Sequence, residues 1–124
     1  MATLNMGFSY DLTYDVIDNV IEDDRIGNYA YGYLDNRGIF IVLYVGRSDN
    51  NLKERIKHGI TEMINNPMLR YERFKFSYAN SVIEAYEKEC RNYHDFGGDY
   101  NKLYNKIHPT KPDNYNGLCP ICKK

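Results

Sequence analysis

Tryptophan is absent from the chain, proline and cysteine are sparse at 4 and 3, and no apolar run approaches the roughly 20 residues of a membrane span. Each absence excludes something. The start Met1-Ala2-Thr3-Leu4-Asn5 lacks the charged and apolar regions of a secretory signal, which points to the cytoplasm. An odd number of cysteines without an export signal argues against a disulfide framework and toward thiols or a metal. A net charge of −1 and a pI near 6.3 give the chain no overall pull toward nucleic acid, so any basic surface is local. What the chain does have is tyrosine, 13 in 124 residues, which by chemistry serves mostly as core and sheet filler with a polar tip.

The length fits one domain, read as a leader helix in 1–26, a core in 27–109 and a cysteine-containing tail in 110–124. Leu12, Val16, Ile17, Val20 and Ile21 recur like one face of a short helix. Two segments rich in tyrosine and β-branched residues, 29–34 and 39–45, flank Asp35-Asn36-Arg37-Gly38 and predict a hairpin. Asp49 or Asn50 then offers an N-cap to a second helix carrying Leu52, Ile56, Ile60, Met63 and Ile64. Phe74, Phe76 and Tyr78 alternate with Arg73, Lys75 and Ser77 as a half-buried strand. Ser81-Val82-Ile83-Glu84 opens a last helix running to about Tyr93 with a capping-box pattern. The order α-β-β-α-β-α predicts an α+β fold with a small three-stranded antiparallel sheet covered by helices.

Helix phase isolates Glu89. At about 100° per residue it falls in the stripe of Val82, Ala85, Tyr86 and Tyr93, while Glu84, Glu87 and Lys88 fall on the polar side. An ionised carboxylate buried there needs a metal ion, an arginine or several donors, or an opening onto a cleft. Arg55 sits on the shoulder of the second helix, able to reach over the sheet edge, and His58 sits further round on its polar side. Tyr29 opens one hairpin strand and Tyr44 nearly closes the other, so pairing brings them to one end of the sheet. Gly46 just beyond permits close backbone approach. Lys53, Arg55, Lys57, Arg73 and Lys75 are the basic groups available to phosphates.

Gly27-Asn28-Tyr29, Tyr44-Val45-Gly46, Arg55, His58, Glu89 and Asn105, in that order, resemble the motif set of the GIY-YIG endonuclease superfamily over about residues 26–109. Asn28 replaces the usual apolar residue, at a position read as carrying no chemistry. His58 follows Arg55 by three residues where many members use four. The resemblance implies metal-dependent hydrolysis of DNA phosphodiesters. Glu89 would hold Mg²⁺ or Mn²⁺, Tyr29 would act as general base with Tyr44 orienting water or sharing that work, and Arg55 would stabilise phosphate charge. Asn105 would support the site by hydrogen bonding. The implied partner is DNA, with branched or otherwise structured forms among the candidates, and no membrane; a protein partner or a homodimer stays open. Alternatives from other classes are a catalytically weak nucleic-acid-binding module and a zinc-stabilised interaction protein.

Cys90 and His94, four apart and about 40° apart around the last helix, join Cys119-Pro120-Ile121-Cys122 to make a Cys₃His set suited to structural zinc. The same residues also read as free thiols on a frayed tail, or as a site in which His108 replaces His94.

Overall fold

A computed structural model describes residues 3–124. In chain order it has β1 (Tyr10–Asp11), α1 (Tyr14–Val20), β2 (Gly27–Leu34), β3 (Phe40–Ser48), α2 (Leu52–Asn65), β4 (Arg73–Tyr78) and α3 (Val82–Asp95), then a short 3₁₀ turn (Gly98–Tyr100). The class is α+β, as the pattern predicts, but the sheet has four strands in the order β1-β4-β2-β3. All pairings are antiparallel. The extra strand is only two residues long and lies in the leader, too short to produce an alternating pattern. There Arg73 anchors the edge by donating to Asp11 Oδ1 at 2.6 Å and to Ser9 Oγ at 2.8 Å.

The leader helix is shorter than its apolar spacing suggests. Thr13 caps it, accepting from Val16 N, so Leu12 lies ahead of the helix and is buried from there. The second helix is capped by Asn51, whose side chain accepts from Glu54 N, rather than by Asp49 or Asn50. Those two residues instead continue the turn that leaves β3, where Ser48 Oγ accepts from Asn51 N at 3.1 Å. Ser81 caps α3 as expected, accepting from Glu84 N at 3.1 Å. The helix runs two residues past Tyr93, to Asp95.

Strand alternation divides the core. Tyr29 and Tyr31 of β2 and Phe74 of β4 face α1 and α2, packing with Ile17, Ile21, Leu52 and Ile56. Ala30 and Val45 face the other way, toward Tyr93 of α3 and Leu103. The sheet is therefore a middle layer, with α1 and α2 on one face and α3 on the other. Gly46 pairs with Tyr29 in the register, and a Cβ there would collide with the Tyr29 ring. The close approach that Gly46 permits is thus to this chain's own tyrosine. Asn28, on the α3 face, is fully buried and donates from Nδ2 to the Ala85 carbonyl at 2.9 Å. Its position therefore ties sheet to helix rather than being chemically idle.

Beyond α3 the chain has little regular structure but is anchored. Tyr104 N donates to the Leu43 carbonyl at 2.6 Å, and Cys119 packs into a buried cluster with Tyr86 and Cys90. No helix among the described residues is long and apolar enough to cross a membrane.

Candidate functional site

Strand β3 is an edge strand, and a cleft of about 340 Å³ wraps its outer side. Because successive side chains alternate, β3 supplies that cleft from both faces of the sheet. Tyr44 comes from the α2 side and Arg47 from the α3 side. Ser48, Asp49 and Asn50 at and just beyond the end of β3, Arg55 of α2, Glu89 of α3 and Asn105 of the following segment add to the polar lining, and the stretch from Ile107 to Thr110 forms the far wall.

Glu89 is 9 % exposed, as the helix phase requires, and its partner is a sheet arginine. Arg47 Nη1 donates to Glu89 Oε1 at 2.6 Å while its Nε donates to Asp49 Oδ1 at 2.8 Å, so one guanidinium bridges two carboxylates. Burial raises the Glu89 carboxyl above its ordinary value, and the Arg47 charge opposes that shift without cancelling it. Arg47 is the site residue that motif reading passes over. Its parity with Val45, on the face toward α3, was the available signal.

Tyr29 is 1 % exposed and lies behind the cleft, not in its lining, with its ring 6.3 Å from that of Tyr44 and stacked on it. Burial pushes the Tyr29 phenol well above its usual value, and neighbouring Tyr31 and Tyr44 add to the rise. Arg55 pulls the other way, with its guanidinium carbon 5.9 Å from the Tyr29 ring centre, but burial dominates. Tyr44 is half-buried, lines the cleft and is raised by the same cause. His58 is exposed outside the cleft lining and meets Arg55 Nη1 at 3.3 Å through Nδ1. Its contact in the structure is with the arginine, not with the cleft.

Asn105 behaves as a one-residue extension of the sheet. Its Oδ1 accepts from Val45 N at 3.0 Å and its Nδ2 donates to Val45 O at 2.7 Å, closing the open edge of β3 beside the cleft.

The expected basic surface is largely engaged. Lys53 pairs with Asp23 at 2.8 Å and Lys57 with Asp18 at 2.7 Å, both acids lying in the leader region, while Arg73 is held by Asp11. Arg47 and Arg55 are the cations lining the cleft.

A second cluster lies across the Ile107–Thr110 wall. His94, His108, Cys119 and Cys122 each offer one ligand atom, all within 4.8 Å of one another, and together could hold a metal ion. The cluster corrects the expected Cys₃His set: His108 enters it and Cys90 does not. Cys90 lies one turn before His94 on α3 and is buried against Tyr86 and Cys119, where burial pushes its thiol up to about 12. Cys119 moves the opposite way. Burial is the largest single influence and disfavours its thiolate, but the backbone N–H groups of Cys122 and Ile121 together with the His108 and Cys90 side chains bring it well below the usual thiol range.

No family model, curated protein or solved structure matches the chain.

Proposed function

We propose that the chain is a metal-dependent DNA endonuclease of the GIY-YIG type, with its site in the cleft along the outer edge of β3. The observation that carries this reading is a buried helix carboxylate, Glu89, opening onto the same cleft as Tyr44, Arg55 and Asn105. Four residues of the motif set, separated by up to 61 positions, line one depression at a strand edge. A core made only for stability has no need of that convergence.

Glu89 and Asp49, both now paired with Arg47, are the residues that would hold a hard divalent cation. Both are carboxylates at the cleft, and Mg²⁺ needs only one or two because it keeps waters and takes phosphate oxygens from its substrate. When bound, such an ion supplies charge neutralisation and activation of water. The chain's own groups do the rest. Arg55 neutralises charge building on the phosphate oxygens. Tyr44, which faces the cleft, is the tyrosine we assign to accept a proton from the attacking water, with Tyr29 stacked behind its ring. A phenol has a pKa of about 10 in water, so proton acceptance depends on the cationic surroundings of the loaded site. Asn105 fixes the strand from which Tyr44 projects. The His₂Cys₂ cluster has no open position once its four donors are engaged, so it fits a structural Zn²⁺ and not the catalytic ion.

A second reading, a catalytically weak nucleic-acid-binding module of the same fold, is favoured by the pairing of Glu89 with Arg47 and of Lys53 and Lys57 with leader acids. Incubation with branched, flapped, single-stranded and linear DNA in Mg²⁺, Mn²⁺ or EDTA separates the two. Cleavage that EDTA abolishes supports the nuclease. Binding without cleavage on every substrate and either metal removes it.

A further inference from the structure

The two histidines of the tail cluster face each other with the same ring nitrogen. His94 Nδ1 meets Asp99 Oδ2 at 2.5 Å, and His108 Nδ1 meets the Pro109 carbonyl at 3.0 Å. A carboxylate and a carbonyl accept, so when each imidazole is neutral its Nδ1 carries the hydrogen and its Nε2 presents a bare lone pair. Those two Nε2 atoms lie 3.3 Å apart, and Cys122 Sγ lies 3.4 Å from the His108 one. With Cys119 the four donor atoms lie within 4.8 Å of one another. A shared proton relieves the repulsion of one pair; a metal ion relieves all four.

We infer that His94 Nε2, His108 Nε2, Cys119 Sγ and Cys122 Sγ bind one Zn²⁺ in a closed tetrahedral centre that fixes the far wall of the cleft, with Asp99 as the residue that orients His94. The spacing fits the ion. Tetrahedral zinc, with Zn–N about 2.0–2.1 Å and Zn–S about 2.3 Å, sets its nitrogens about 3.3 Å apart and nitrogen to sulfur about 3.6 Å. The His94–His108 and His108–Cys122 separations are 3.3 and 3.4 Å, and all four donors lie within 4.8 Å of one another. Two sulfurs and two imidazoles exclude Mg²⁺ and Ca²⁺, which take oxygen ligands. The outer contacts fit as well, since metal-binding histidines donate their other N–H to a carboxylate or carbonyl, as Asp99 and Pro109 allow here. The Cys-Pro-Ile-Cys turn is closed by its own backbone, with Lys123 N donating to Cys119 O at 3.0 Å and Cys119 N to Lys124 O at 3.1 Å.

His108 gives the centre its second role, because it also lines the cleft that holds Arg47 and Glu89. Residues 105–108 run from an anchor on β3, at Asn105, to an anchor on the ion, at His108. The ion thereby sets where that wall stands. This link to the cleft rests on the nuclease reading, whereas zinc binding does not.

The test is metal content and cobalt spectroscopy on the full chain. The purified protein should retain about one zinc per chain after dialysis against mild EDTA. The Co²⁺-substituted form should show thiolate-to-cobalt charge transfer and the intense visible bands of a tetrahedral site. Cys122→Ser and His108→Ala should each lose that spectrum, and Cys90→Ser should keep it. Asp99→Asn should weaken zinc 10- to 100-fold in competition with a chromophoric chelator. Where a variant fails to fold, zinc stripped from and restored to the unmodified chain should lower and then recover its melting temperature. A chain without zinc and without the cobalt bands overturns the assignment, as does loss of the spectrum in Cys90→Ser. Zinc present in a chain that cleaves no DNA leaves the centre standing and removes the nuclease.

Discussion

Arg47 Nη1 lies 2.6 Å from Glu89 Oε1, joining the edge strand β3 to the buried face of α3 at side-chain exposures of 11 % and 12 %. Removing one partner leaves the other poorly solvated and unpaired, so Arg47→Ala should destabilise the fold by about 3 kcal/mol in urea titrations. Glu89→Gln keeps shape and leaves Arg47 bonded to Asp49, so its loss of stability should be much smaller. In the proposed nuclease it should nevertheless abolish metal-dependent cleavage while leaving most DNA affinity. Glu87→Gln, on the polar side of α3, should change neither; equal damage from both substitutions would sink the assignment of Glu89.

The two motif tyrosines should separate kinetically. Tyr44 lines the cleft and Tyr29 lies behind it at 1 % exposure, so in the proposed nuclease Tyr44→Phe should lower the cleavage rate by roughly 10²-fold or more. Tyr29→Phe should do less, through loosened packing of the stacked pair. The reverse order would return the proton-transfer role to Tyr29. Tyr86→Phe is the control: its hydroxyl is buried with no hydrogen-bond partner among the described residues, so stability should hold or rise slightly.

Strong periodicity made the helices and the Glu89 phase legible, because one residue out of place on α3 would move that carboxylate by about 100°. Pairings between distant segments were not legible. The two-residue strand β1 has no period of its own and exists because β4 has a free edge that Arg73 ties to Ser9 and Asp11. Lys53 and Lys57 looked available to phosphate from sequence, yet the fold sets Asp23 and Asp18 of the leader against them. Likewise Cys90 and His94 share a helix face, but the tail returns so that His108, not Cys90, completes the cluster.

Asn105 should matter to stability before it matters to chemistry. Its side chain makes both hydrogen bonds to Val45, so Asn105→Ala should cost about 1–2 kcal/mol and speed hydrogen exchange at the Val45 amide. Asn105→Asp retains the acceptor and loses the donor, and should fall between the two. Unchanged exchange at Val45 in the alanine variant would show that the sheet edge does not depend on this residue.

Alkali should unfold the chain through its buried tyrosines. Burial, as the largest cause, raises the phenols of Tyr29, Tyr31 and Tyr71 above their ordinary value of 10.0. The sign follows from proton counts: above about pH 10 the unfolded chain releases these protons and the folded chain keeps them, so stability is full below that pH and falls above it. Each such group removes about 1.4 kcal/mol per pH unit. Tyr31 is the sharpest test, because its hydroxyl also donates to the Ile56 carbonyl at 2.9 Å, a bond that only the neutral phenol can make. Tyr31→Phe should cost about 1 kcal/mol at pH 8 through that lost bond. Between pH 10 and pH 11 it should unfold less steeply than the parent chain, by about one group's contribution. Parallel stability curves for the two proteins across that interval would show that Tyr31 ionises as readily in the folded chain as in the unfolded one.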